Sequence, residues 1–403
     1  MRLTSSLMRR YTLILIVVVA VIGIVCWVCI DRRFGAVSST AKGRKTSQTP
    51  QNVAGTASAE PEKTVLPMSR DGDQITRSVA EALDAMREGK SSKVDAALLH
   101  LDELLGDKRR NGEAGIAAIL QFLRTGRDGP TGRGFVIGEG GVLTESTTLR
   151  VYLMDKLGQL SREVGSEAAL GAALEVLLSF GSADEWAVSM RNVAWIDPAS
   201  RSFLQDRILA MLNHKEWHDR PSIGMLESFD VIVHTGAMLT VPELSRLVSV
   251  QNSPLTRASS VALDRLSGQK GLELTSLLNQ QPGLLSAAPL VRADLFAHAD
   301  LSVPEQRYQL ENYLLRPDVD TRERKKFFSS LVQTGQFLSN NLITPVALAE
   351  TPDQAAARLD ILTQTVNGWL RDKRFRAFNG ELTALGARVN RIIDEITADE
   401  ISK

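Results

Sequence analysis

An apolar run near the amino terminus is the part of this chain with the fewest structural options. Residues 11–30, YTLILIVVVAVIGIVCWVCI, contain no charged side chain, and an α-helix of this length spans roughly 30 Å, the thickness of a bilayer's hydrocarbon core. A cleaved signal peptide has a shorter apolar segment and a small-residue cleavage site, whereas Asp31, Arg32 and Arg33 follow this run at once. We therefore predict that residues 1–34 form a tail and a single-pass, uncleaved transmembrane anchor.

Basic side chains flank the run on both sides, so the positive-inside rule separates the two orientations poorly. Arg9 and Arg10 precede it, and Arg32 and Arg33 follow it. A short amino-terminal tail usually stays in the cytoplasm, and a long domain is translocated largely regardless of its charge. We expect the body on the extracytoplasmic (periplasmic) side of the membrane, with the opposite orientation as the alternative.

The net charge of zero hides an asymmetry between the two ends of the chain. Residues 1–45 carry eight Lys or Arg side chains and one Asp, so the remainder has a net charge of −7. A mildly acidic body lacks the clustered cations that neutralise phosphates, so we predict no nucleic-acid partner. The only two cysteines, Cys26 and Cys29, lie in the apolar run, so the body has neither disulfides nor thiolate chemistry.

Residues 35–74 form a polar stretch rich in Ser, Thr, Ala, Gly, Gln, Lys and Pro, without apolar periodicity. Such a segment cannot bury enough apolar surface to offset the entropy of ordering it. We predict a disordered linker that holds the body on the order of 35 Å from the membrane.

From Ile75 onward the apolar residues recur at intervals of three and four, which predicts an all-α body over residues 75–336. Short breaks that contain Pro or Gly separate the helical segments. After the helices that begin at Ile75, Val94 and Ile116, we expect helices near 146–160, 165–180, 183–195, 198–213, 222–237, 242–250, 254–267, 270–279, 284–298, 303–316 and 319–336.

Grouped in pairs, these helices form hairpins that start near residues 165, 198, 242, 270 and 303. In this grouping, residues 92–336 resemble the α-solenoids of the HEAT and armadillo type, in which one hairpin buries its apolar face only by stacking on its neighbours. The resemblance implies an extended concave surface that binds protein. A closed helical bundle is the structural alternative.

The carboxy-terminal region, residues 337–403, carries two heptad-like patterns. Apolar residues in 355–369 and again in 382–396 step by three and four, with a basic turn between them. We predict a helical hairpin that caps the solenoid. Self-association through residues 379–397 as a coiled coil is the alternative.

Two histidines have a spacing that could bind a metal. His214 and His218 lie four residues apart, on one face if the segment is helical. The metalloprotease helix needs Glu directly after the first His, where this chain has Lys215, and no cysteine nearby supplies a third ligand. We predict no metal site and interpret His214 and His218 as surface or helix-capping residues, with metal binding as the alternative.

The glycine-rich stretch 126–141, GRDGPTGRGFVIGEGG, is the one unusual loop. It matches neither the dinucleotide fingerprint nor the P-loop. Residues 135–137 and 142–143 are apolar enough for a small β-hairpin, and long loops in compact domains often bind partners. We interpret the stretch as an inter-repeat connection, with partner binding through exposed Arg127, Arg133 and Phe135 as the alternative.

No G-x-S-x-G nucleophile motif and no convincing pair of Asp or Glu side chains occurs in the chain, so we predict no catalytic residue and no cofactor. The anchor, the linker and the repeat-like body together predict a membrane-anchored helical-repeat scaffold that binds an unknown protein partner. It would contact the membrane through residues 11–30. The alternative function is an enzyme or a metal-binding module whose site only the folded chain reveals.

Overall fold

A computed structural model describes residues 70–250, 253–332, 341–345 and 350–401. This part of the chain is mostly helical, which confirms the all-α prediction. The helices are α1 Arg70–Glu88, α2 Ser91–Gly106, α3 Lys108–Arg124, α4 Leu149–Val164, α5 Glu167–Val176, α6 Ala183–Ile196, α7 Arg201–Asn213, α8 Ile223–Glu227, α9 Asp230–Thr235, α10 Val241–Val248, α11 Pro254–Gln280, α12 Pro289–Ala297, α13 Pro304–Leu314, α14 Thr321–Ser330, α15 Pro352–Arg371 and α16 Asn379–Ile401.

The predicted anchor at residues 11–30 and most of the predicted linker lie outside the described residues. Of the helices that are described, none combines the length and the apolarity that a bilayer crossing requires. Helix α1 begins at Arg70, inside the range 35–74 that we assigned to the linker. Asp71 and Asp73 lie in its first turn, where carboxylates interact favourably with the helix dipole, and this extends the helix beyond the apolar stripe that starts at Ile75.

Two predicted helix boundaries differ from the structure. The segment predicted as one helix over 222–237 forms the two short helices α8 and α9, which Ser228 and Phe229 separate. Conversely, the segments predicted at 254–267 and 270–279 form the single helix α11, with a kink at Lys270 where the backbone departs from helical angles. Apolar residues on both sides of the kink, such as Leu266 and Leu274, are buried, and this holds the two halves to the same core.

Helices pack mainly against neighbours one or two helices away along the chain. Such contacts join α1 to α3, α4 to α6, α6 to α8, α7 to α9, α9 to α11, α11 to α13, α12 to α14 and α14 to α16. One hydrophobic core extends from α5 to α16, across the boundary that we predicted at residue 336. A second core joins α1, α2, α3 and α4.

The glycine-rich stretch contains the small hairpin that the sequence predicted. Strands β1 (Val136–Ile137) and β2 (Leu143–Glu145) pair in antiparallel register, and a short 3₁₀ turn at Glu139–Gly141 connects them. The inward side chains of this hairpin form a third apolar cluster with α4 and α6. The hairpin is therefore packed onto the helices rather than projecting from them.

At the carboxy terminus, α15 and α16 pack against each other across the 3₁₀ turn Lys373–Phe378. The heptad positions Leu382, Leu385 and Val389 are buried in the large core. Self-association through 379–397 stays a prediction, but the chain already covers these three residues of its apolar seam.

Candidate functional site

Buried polar contacts hold the glycine-rich hairpin in place. Arg191 of α6 has no exposed side-chain surface, and its Nη1 donates to the Asp155 carboxylate at 2.6 Å and to the Gly141 carbonyl at 2.7 Å. Asp155 also accepts from the Leu143 backbone N–H at 3.1 Å. A buried ion pair whose remaining polar atoms bind the backbone fixes the position of that backbone. The hairpin is thus a rigid wall and not a free loop.

Of the three residues that we proposed as exposed partner contacts, Phe135 is buried, with 3 % of its surface exposed. The expectation of exposure was wrong because successive side chains of a β-strand alternate between faces, and Phe135 and Ile137 both point inward. Arg127 is exposed, and Arg133 is exposed and paired with Asp95 of α2. Partner binding through Arg127 and Arg133 stays a prediction.

His214 and His218 do not lie on one face of an α-helix, because α7 ends at Asn213 and a 3₁₀ turn follows. The imidazole of His214 stacks on Phe180, with 4.4 Å between ring centroids, and lies 4.6 Å from the ring of Trp217. Within the described ranges no group of three His, Cys, Asp or Glu side chains is placed to hold a metal ion. His214 is therefore part of an aromatic cluster.

A different site joins two regions of the chain that are distant in sequence. Residues 341–345, Asn-Leu-Ile-Thr-Pro, form a short bent segment, which we call the strap. The Asp230 carboxylate, 4 % exposed at the start of α9, accepts from the backbone N–H of Ile343 at 2.6 Å and of Thr344 at 2.8 Å. The bend of the strap lets two successive N–H groups point at one oxygen, an arrangement that suits an anion.

Arg265 of α11 completes this junction. Its Nη1 donates to Asp230 at 2.7 Å and to the side-chain oxygen of Asn341 at 3.2 Å, and its Nη2 donates to the hydroxyl of Thr344. The Thr344 hydroxyl in turn donates to Asp230. The charges of Asp230 and Arg265 compensate each other, and both side chains also bind the strap, so they recognise the strap without leaving a net charge buried.

An apolar contact holds the strap from the other side. Leu342 has no exposed surface and packs with the hairpin residues Phe135, Ile137 and Leu143. Its carbonyl oxygen lies so close to Gly141 that a Cβ on Gly141 would be far inside van der Waals contact. Gly141 also has φ +81°, which favours glycine. The glycine at position 141 therefore allows the backbone of the strap to pack directly against the backbone of the hairpin.

A groove of about 580 Å³ lies beside the strap, between α8, α9 and α11. Phe229, Val233 and Val261 contribute apolar surface, and Asn341 is the strap residue that lines it. The volume is in the range of ligand-binding clefts, about 300–1,000 Å³. The groove is thus large enough to hold several further side chains next to the strap.

Four charged residues line the groove: Asp230 and Arg265, which pair with each other, and Glu227 and Arg257. Burial, and secondarily the negative charge of Asp230, raise the pKa of the Glu227 carboxyl, so this group is neutral at a higher pH than an ordinary glutamate. Arg257 is exposed at the rim and makes no ion pair or hydrogen bond with any residue that the structure describes. An acidic group on a ligand would carry the charge that complements this guanidinium.

Sequence reasoning missed the residues that build this site: Asp230, Arg265, Asn341, Thr344, Glu227 and Arg257. A buried aspartate at the start of a short helix has the pattern of an ordinary helix terminus. The strap carries no periodic signal, and its contact with Asp230 spans more than a hundred residues. The residues that contact the strap from the glycine-rich stretch, Phe135, Ile137 and Gly141, did lie in a segment that we had singled out. No protein-family model, curated protein or solved structure matches this chain.

Proposed function

We propose that this protein is a membrane-anchored helical-repeat scaffold that binds a partner protein through a short, turn-forming peptide segment. The apolar run at residues 11–30 would anchor it, and the body would lie on the extracytoplasmic side. The binding surface is the groove between α8, α9 and α11 together with the wall of the adjoining hairpin.

The packing of the helices supports the repeat architecture. Each helix contacts neighbours one or two positions along the chain, as expected where stacked hairpins bury one another's apolar faces. Such stacks present long concave surfaces, which in helical-repeat proteins bind other polypeptides.

The strap is the observation on which the proposal depends. It is a stretch of polypeptide without regular secondary structure. The helix residue Asp230 binds two of its backbone N–H groups and its threonine hydroxyl, and the hairpin packs against its leucine. These are the contacts by which a protein surface recognises a peptide. The open groove continues the same surface, so a longer peptide from a partner would have further contacts to make.

In-cell crosslinking of the full-length protein, followed by mass spectrometry, tests this function. Val261→Arg places a long charged side chain in the groove, and Val164→Arg makes the same substitution at an exposed position at the end of α4. We expect a reproducible partner set that the first substitution removes and the second leaves intact. A partner set that survives Val261→Arg would exclude the groove, and the absence of any specific partner would contradict the scaffold function.

A further inference from the structure

We infer that the strap is an internal competitor for the partner's peptide, and that this peptide carries the same pattern: asparagine, leucine, any aliphatic residue, threonine, proline. The inference names the ligand class of the peptide-binding site and rests on the proposed function. Its basis is that the strap supplies hydrogen bonds to a buried carboxylate that would be costly to leave without them, while the neighbouring groove stays open.

Asp230 is the buried carboxylate that needs these hydrogen-bond donors. Within the described part of the chain, the strap and Arg265 supply all the hydrogen bonds that its carboxylate accepts. A buried carboxylate that loses several donors is strongly destabilised. A peptide that offers the same two N–H groups and the same hydroxyl would restore these hydrogen bonds, so exchange of the strap for such a peptide leaves no buried group unpaired.

The pattern follows from what each strap residue contacts. The side-chain N–H of Asn341 donates to the carbonyl of Pro345 at 3.2 Å, and this bond closes the bend. Leu342 fills the apolar cavity against the hairpin, and the hydroxyl of Thr344 binds both Asp230 and Arg265. Ile343 is only half-buried, so its position tolerates other aliphatic residues.

The groove gives a partner an advantage over the strap. Asn341, the first residue of the strap, is also its only residue in the groove lining, so the groove extends from the amino-terminal side of the pattern. A residue placed before the asparagine would reach Phe229 and Val261 if apolar, or Arg257 if acidic. A partner needs such extra contacts, because a segment of the same chain competes at an effective concentration of about millimolar.

A synthetic peptide provides the test, with the full-length protein in detergent or nanodiscs. The probe is a capped, fluorescently labelled Leu-Asn-Leu-Ile-Thr-Pro peptide, in which the first leucine reaches toward the groove. The control peptide has valine in place of threonine, which keeps the shape and removes the hydroxyl. Binding is measured by fluorescence anisotropy to the unchanged protein and to Leu342→Asp, which places a charge in the apolar cavity and releases the strap.

We expect the probe to bind Leu342→Asp about tenfold or more tightly than the unchanged protein, because the internal competitor is weakened. Adding Gly141→Ala to this variant should abolish binding, since the new methyl group blocks the position of the bound leucine carbonyl. Adding Gly140→Ala should not, because Gly140 has a similar φ and open space around it. The valine control peptide should bind markedly less tightly than the probe.

Equal affinity for the unchanged protein and for Leu342→Asp, or equal affinity of the two peptides, would overturn the inference. If Leu342→Asp does not fold, Leu342→Ala is the milder variant and should shift affinity in the same direction. Loss of crosslinked partners on Val261→Arg, combined with failure of the peptide to bind, would leave the proposed function standing and reject only the internal competitor.

Discussion

Replacing Gly141 by alanine tests how the glycine-rich stretch and the strap are coupled. Gly141 and its neighbour Gly140 both have positive φ, +81° and +67°, but only Gly141 lies against the strap. Gly140→Ala should therefore show the backbone strain alone, about 1 kcal/mol. Gly141→Ala has the same strain and in addition displaces the carbonyl of Leu342.

Displacing the strap removes two stabilising contributions. Exposing the fully buried Leu342 side chain costs about 1.5–3 kcal/mol. Leaving the buried Asp230 carboxylate without its strap donors costs roughly 1–3 kcal/mol more. Together these contributions lead us to expect that Gly141→Ala destabilises the protein by about 2.5–6 kcal/mol beyond Gly140→Ala.

Urea unfolding followed by circular dichroism measures the global difference, and hydrogen exchange with mass spectrometry locates it. Peptides that contain Ile343 and Thr344 should lose protection in Gly141→Ala and keep it in Gly140→Ala, because these N–H groups are the ones bound to Asp230. Equal unfolding midpoints and equal exchange in the two variants would refute the coupling of the hairpin to the strap.

Three further predictions use other parts of the chain. The hydrogen bond from His298 to the Asp264 carboxylate (2.6 Å) raises the pKa of the imidazole above its usual value of about 6.5. The stability that this bond contributes is therefore fully present below the usual pKa, and it is lost as the pH rises through the raised pKa. The urea midpoint should fall with rising pH in the unchanged protein, and it should fall less in His298→Gln. Arg191→Met should destabilise the protein by about 3–5 kcal/mol, because it leaves the buried Asp155 carboxylate without its cation. Arg162, which is exposed, lies over the same ring as Arg191, that of Trp195, and Arg162→Met should change the unfolding free energy by less than about 0.5 kcal/mol. Similar losses in the two variants would contradict the role of burial. Leu178→Cys, at a residue 73 % exposed, should react with a membrane-impermeant maleimide on intact cells stripped of any outer membrane, and labelling only after lysis would place the body in the cytoplasm.

The helical body was predictable because apolar spacing reports directly which side of a helix faces a core. Leu263 and Leu266, and likewise Leu382 and Leu385, follow that spacing and are buried. The interruption near residue 268 was also visible in the sequence, but the prediction of two separate helices was wrong, because the structure has a kink at Lys270 within one helix. Local signals of this kind depend on residues within one or two helical turns.

The site was not predictable, because its contacts depend on which distant segments the fold brings together. Asp230 could have capped α9 in solvent, and nothing near it in sequence indicates that Ile343 and Thr344 bind it. The burial of Phe135 was missed for a related reason. A two-residue strand is too short to show alternation, so the face that meets α4 could not be read from the sequence.

The separation between Asp230 and the strap has a consequence for synthesis of the protein. Ile343 follows Asp230 by 113 residues, so at 5–20 residues per second it leaves the ribosome roughly 6 to 23 s later. Arg265 emerges much earlier, and helices α8, α9 and α11 can pack in that interval with the peptide site vacant. During this interval the nascent chain has no strap, so a peptide from a partner can bind the site without competition from the strap. A partner made or exported at the same time would have its best opportunity to bind then, and the order of synthesis would influence which segment occupies the site.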